Sequence, residues 1–121
     1  PVAVRAALGV LAPQPARRRV VVLGYMLELG EHGRAAHAGL APEVASVADA
    51  LFTCGPLMRL LFEAVPDRLR AAHAADSAAL APLVAAGLRD GDAVLVKGSL
   101  GSRMKAIVQA LEPAGGMAGV G

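Results

Sequence analysis

Aromatic residues are nearly missing from this chain, which has no tryptophan, one tyrosine and two phenylalanines among 121 residues. Without rings to stack on bases, its one basic run, Arg17, Arg18 and Arg19, does not make a nucleic-acid surface, and no nucleic-acid partner is expected. That run reads instead as a solvated entrance to the strand that follows. Cysteine is reduced to Cys54, which excludes an internal disulfide framework. Its apolar setting suggests a buried thiol in a reducing compartment rather than a nucleophile. Charged residues make up only 18% against 55% hydrophobic, with a formal net charge of +2, a balance that excludes a disordered chain. No stretch reaches the roughly 20 apolar residues of a membrane span, and the basic-then-apolar order of a signal peptide is absent. The expected setting is cytoplasmic. The chain starts at Pro1 with no initiator methionine, and reads as a piece of a longer polypeptide.

What is present is alternation. At 12.2 kDa there is room for one domain with one core. Val4, Leu8 and Leu11 have helical spacing and stop before Pro13 and Pro15, after which Val20 to Leu23 is a continuous apolar run suited to a strand covered on both faces. Leu40, Val44 and Val47 space as a helix, with Pro42 in its first turn. "ALFTCG" (Ala50 to Gly55) is a second strand, and Leu57, Leu60, Leu61 and Val65 make a helix face that Pro66 ends. "RLRAAHAADS" (Arg68 to Ser77) is ambiguous; Asp76 or Ser77 then caps a helix bearing Leu80, Leu83 and Val84 and ending at Gly87. Ala93 to Val96 is the next strand, and Met104, Ile107, Val108 and Leu111 the last helix face. The pattern predicts a single α/β domain over residues 1–112, Rossmann-like, with a mainly parallel sheet and helices on both faces, followed by a flexible tail over 113–121.

Ligands of such folds sit where strand ends feed into helices. Two strand ends carry glycine loops: Leu23 leads into Gly24, Tyr25, Glu28 and His32, and Val96 into "KGSLGSR". In the second, Gly98 and Gly101 permit close backbone approach, and Lys97 adds a positive charge beside the N–H groups of the following helix, so a carboxylate or phosphate suits it. A plain helix-capping loop explains the same residues. The lysine precedes the glycines, unlike a P-loop, and no G-x-G-x-x-G occurs. Glu28, Glu31, His32 and His37 are close, but histidines five apart do not share a helical face, and no metal site is expected. His73 suits a surface or capping role, and Ser99 and Ser102 suit helix caps rather than nucleophiles.

Two separated motifs, "VVVLGYMLELGEHG" (Val20 to Gly33) and "DAVLVKGSLGSRMKAIVQAL" (Asp92 to Leu111), together resemble the C-terminal domain of the Mur ligases. Within that family the likeness is to the branch that joins D-alanyl-D-alanine to UDP-N-acetylmuramoyl-tripeptide in peptidoglycan precursor synthesis. Typical members carry "LGDMLELG" and "VLVKGSRGMRME" at these places, and the opening "PVAVRAAL" resembles the end of their "NANPxSMxAAL" segment. The resemblance runs from Pro1 to Leu111, although the middle, from Asp49 to Arg89, agrees only in element order.

The resemblance implies a three-domain enzyme that uses ATP and magnesium to activate a carboxylate as an acyl phosphate, which the dipeptide amine attacks. Nucleotide and metal are then held mainly by the other domains, so the isolated chain is expected to be inactive. Lys97, Gly98, Ser99 and Arg103 would hold the dipeptide carboxylate, and the loop of Gly24, Tyr25, Glu28 and His32 would wall the cleft. Two positions depart from the pattern: Tyr25 stands where the family has aspartate, and Leu100 where it has arginine after "KGS". Two other readings stay open, the same domain of a sister Mur-type amide ligase and a stand-alone, non-enzymatic α/β binding module. The "KGS" form, rather than a "KGHE" type, argues against the diaminopimelate-adding or lysine-adding relative.

Overall fold

The computed structural model describes residues 2–24, 38–56, 58–98, 107–108 and 117–120. Helix α1 (Val2–Leu11) leads into strand β1 (Arg18–Leu23), then α2 (Ala41–Val47), β2 (Ala50–Cys54) and α3 (Met58–Ala64). A 3-10 turn (Asp67–Leu69) precedes β3 (Arg70–Ala74), followed by α4 (Ser77–Gly87), β4 (Asp92–Lys97) and β5 (Met117–Val120). The five strands form one parallel sheet in the order β3-β2-β1-β4-β5.

The apolar run of β1 explains its central place. Side chains alternate across a strand, so a run apolar at every position must be covered on both faces. Val21 and Leu23 face one core with Leu8, Leu11, Leu40, Val44, Leu51, Met58, Leu61 and Leu95. Val20 and Val22 face the other, with Phe52, Leu80, Val84, Val94, Val96 and Ile107. Helices α1, α2 and α3 therefore cover one face, and α4 with helical Ile107 and Val108 the other. All four side chains are at 0% exposure, worth about 1.5–3 kcal/mol each as an upper range, so the strand is firmly seated up to its last residue.

The expected fold class is found, with local corrections. Leu83 does not join Leu80 and Val84: the buried stripe of α4 is Ser77, Leu80, Ala81 and Val84, and Leu83 sits on its flank at 44% exposure. Of the face expected for α3, Leu61 is buried and so is Val65 just past its end, Leu60 is only partly covered, Leu57 lies outside the described residues, and Met58 is buried in addition. The ambiguous segment becomes edge strand β3, although "RAAHA" has little strand propensity; pairing with β2 makes it a strand. Residues expected in a flexible tail, Met117–Val120, pair with β4 as β5 because a parallel edge accepts backbone without needing a side-chain pattern.

The arginine run is corrected most. Arg18 is not solvated: its Nε and Nη2 donate to Asp92 Oδ1 and Oδ2 at 3.0 and 2.6 Å, and Nη2 also donates to the Gly87 carbonyl at 2.7 Å. Arg19 donates to the carbonyls of Leu11 and Gln14, tying the end of α1 to the start of β1. Both guanidinium groups hold together the amino-terminal end of the sheet.

Candidate functional site

Chain order and strand order part company at β1. From β1 the chain moves outward through β2 to β3, then returns to place β4 on the other side of β1. The carboxyl ends of β1 and β4 are therefore the topological switch point of the sheet, the usual ligand position in an open parallel sheet. The register brings the strands to this point together: Val22 pairs with Val96 and Leu23 with Lys97. One residue further, the Gly24 amide donates to the Lys97 carbonyl at 2.9 Å, so both loops leave the sheet from the same point.

The two strand-end loops singled out in the sequence thus begin side by side. Gly24 is buried, and Lys97 and Gly98 are partly buried at the switch point. Lys97 lies on the same sheet face as Leu95, two residues before it. An ammonium group followed by Gly98 is compatible with an anion and equally with a plain capping loop. Ser99 and Arg103 lie outside the described residues, as do Tyr25, Glu28 and His32 and the neighbouring Glu31, His37, Leu100 and Ser102. Among the described residues no group of three or more His, Cys, Asp or Glu is placed to hold a metal ion.

Polar chemistry elsewhere was only partly foreseen. Asp76 caps α4 as expected, accepting from the Ala79 amide at 2.8 Å. Cys54 is buried at the end of β2, and burial together with the negative charge of Asp76 pushes its thiol up to about 11, which leaves it inert at neutral pH. His73, expected in a surface or capping role, instead contacts Thr53 through Nδ1 at 2.6 Å. A threonine inside the apolar run "ALFTC" was the available signal, since a buried hydroxyl needs a partner. A shallow groove of about 350 Å³ beside Phe52, Leu83 and Arg89 lies between α4 and β3, away from the switch point. No described helix is long and apolar enough to cross a membrane.

An open parallel α/β sheet with two strand-end loops at its topological switch point describes many nucleotide-binding and substrate-binding domains. The chain is more specifically a member of the family described as Mur ligase, glutamate ligase domain, whose model matches residues 1–100. Its fold is also that of the MurF ligase from Thermotoga maritima, a crystal structure in complex with ADP, at a TM-score of 0.75 and 23% sequence identity. That match covers 93% of this chain and 25% of the other, so the chain spans a quarter of the length of that ligase.

Proposed function

We propose that this chain is the domain with which a larger ATP-dependent ligase of peptidoglycan precursor synthesis holds an incoming D-alanyl-D-alanine and closes its active site. The observation that supports this reading is the pairing of Leu23 with Lys97 at the switch point, from which both motif loops start side by side. Lys97 and the backbone of Gly98 and Ser99 take the dipeptide carboxylate, with Arg103 as a second cation, and the loop from Gly24 through Tyr25, Glu28 and His32 forms the opposing wall. A carboxylate held in this way leaves the dipeptide amine free to attack the activated tripeptide. The acceptor in this reading is UDP-N-acetylmuramoyl-tripeptide, and the shared fold with a MurF ligase is consistent with it.

ATP and magnesium belong in this reading mainly to the rest of the polypeptide. The isolated chain is accordingly inactive, and the full-length enzyme works in the cytoplasm, where these precursors are made. The test is Lys97→Ala in the full-length enzyme. Losing one charge-assisted contact to a carboxylate costs about 1.5–3 kcal/mol, so the KM for the dipeptide rises roughly 10- to 100-fold while that for ATP changes little. Unchanged dipeptide kinetics refute the assignment, and a rise confined to another amino acid substrate would favour the sister-ligase reading.

A further inference from the structure

Thr53 and Ser77 are the polar residues buried as whole residues among the described ones, and Thr53 is at 0% exposure. Its partner, His73, lies on β3, an edge strand paired through one side only, with a register shift between Leu51 and Phe52. The two residues are matched across the strands, Thr53 with His73, just before β2 and β3 reach their carboxyl ends. The imidazole packs on Phe62 of α3 with ring centroids 5.8 Å apart. Beyond them, the Gly55 amide donates to the Ala74 carbonyl, and Asp76 caps α4. His73 is therefore a side-chain tie between the edge strand and the sheet, at the same end as the switch point.

We propose that the Thr53–His73 contact is a proton-operated latch that holds the carboxyl end of β3 when His73 is neutral and releases it when the imidazole is protonated. In the neutral ring Nδ1 can accept the hydroxyl proton of Thr53, which satisfies a fully buried donor without placing a charge in the core. A proton on Nδ1 turns the acceptor into a donor. Thr53 must then accept, its own hydroxyl proton loses this partner, and a cation sits half-buried against Phe62. The charged groups acting on the ring come from α3: Arg59 opposes the added charge and Glu63 partly offsets it, these two also pairing with each other at 3.4 Å. From β2 the ring meets the uncharged Thr53, and Arg70 on its own strand is committed to Asp67 and to the Phe62 carbonyl. Burial first, and Arg59 second, hold the imidazole below its ordinary range, in keeping with a neutral resting state. When the tie opens, the end of β3 and the turn into α4 lose their side-chain hold, while β1 and β4 keep their shared register.

The test is amide hydrogen exchange on the intact chain at pH 7.5 and 5.5, corrected for intrinsic rates. Protection at Ala72 and Ala74, whose amides face β2, falls at the lower pH relative to Val21, Val22 and Leu95, by up to tenfold for each pH unit separating the folded and unfolded histidine. His73→Asn places an amide oxygen near the Nδ1 position without a titrating group, and should leave protection of β3 independent of pH. Equal loss of protection in all strands overturns the proposal. So does a pH-dependent loss at β3 that persists in His73→Asn.

Discussion

Replacing Asp92 should cost this domain more than replacing any exposed charge. Its carboxylate is the register partner of Arg18 across β1 and β4, and its side chain is 4% exposed while that of Arg18 is 21% exposed. Three donors converge on it: Arg18 Nε at 3.0 Å, Arg18 Nη2 at 2.6 Å and the Arg89 amide at 2.8 Å. Removing one partner of a buried pair costs about 3–5 kcal/mol because the other charge is stranded. In Asp92→Ala the stranded guanidinium keeps the Gly87 carbonyl and some water, so the expected loss is lower, about 2–3 kcal/mol. In Arg18→Met the stranded group is the more deeply buried carboxylate, so the loss should be larger, about 3–4 kcal/mol. The double variant should lose less than the sum of the two. Urea unfolding with shared slopes measures all three. A loss below about 0.5 kcal/mol in Asp92→Ala, the range of exposed pairs, would refute the reasoning.

The same pair fixes an acid limb. Burial pushes the Asp92 carboxyl up, but hydrogen bonds from Arg18 and the Arg89 amide, with the charges of both arginines, outweigh it and hold the group below its ordinary value. A folded value below the unfolded one means that the unfolded chain binds protons first as pH falls. Its stabilisation is therefore complete above about pH 4 and is lost as pH falls through the folded pKa. In Arg18→Met, burial acts with less opposition, so the folded carboxyl is less depressed and the acid-linked loss should be smaller and complete at higher pH.

Gly87→Ala separates two effects of opposite sign. Alanine favours a helix over glycine by about 1 kcal/mol, yet a Cβ at this position would lie 2.8 Å from Phe52 Cζ in a packed core. We expect a net loss of about 1–2 kcal/mol in thermal or urea unfolding, relieved in a Phe52→Leu background; a gain in stability would show that the ring yields freely. For Cys54, a thiol raised to about 11 has roughly a hundredfold less thiolate at pH 8 than an ordinary one, and burial slows attack further. Alkylation of the native chain should lag that of the urea-unfolded chain by at least about that factor, and rates within tenfold would contradict the assigned environment.

Strands β1, β2 and β4 were legible because their apolar runs have one meaning in a short chain, burial from both sides. Edge strands β3 and β5 were not, since "RAAHA" and "MAGV" become strands through backbone pairing with neighbours that local pattern does not reveal. The roles of Arg18 and Arg19 were hidden for a related reason. A run of three arginines has the composition of a solvated surface, and only its partners, Asp92 74 residues away for Arg18 and the Leu11 and Gln14 carbonyls for Arg19, turn it into structure.

The site shows where that limit falls. Glycine, lysine and serine after Val96 suggested an anion loop, but an ordinary capping loop had the same composition. Strand order adds what composition could not, because two strand-end loops start together only where their strands are neighbours. Here β4 is inserted beside β1 instead of following β3, and Lys97 thereby meets Leu23 and Gly24. Had β4 continued the series beyond β3, "KGSLGSR" would have faced solvent at an edge, some three strand spacings or about 14 Å from the β1 loop, with no second wall. The functional reading therefore rests on topology as much as on the motif, and a change that left "KGSLGSR" intact but displaced β4 from β1 would part Lys97 from Leu23 and Gly24.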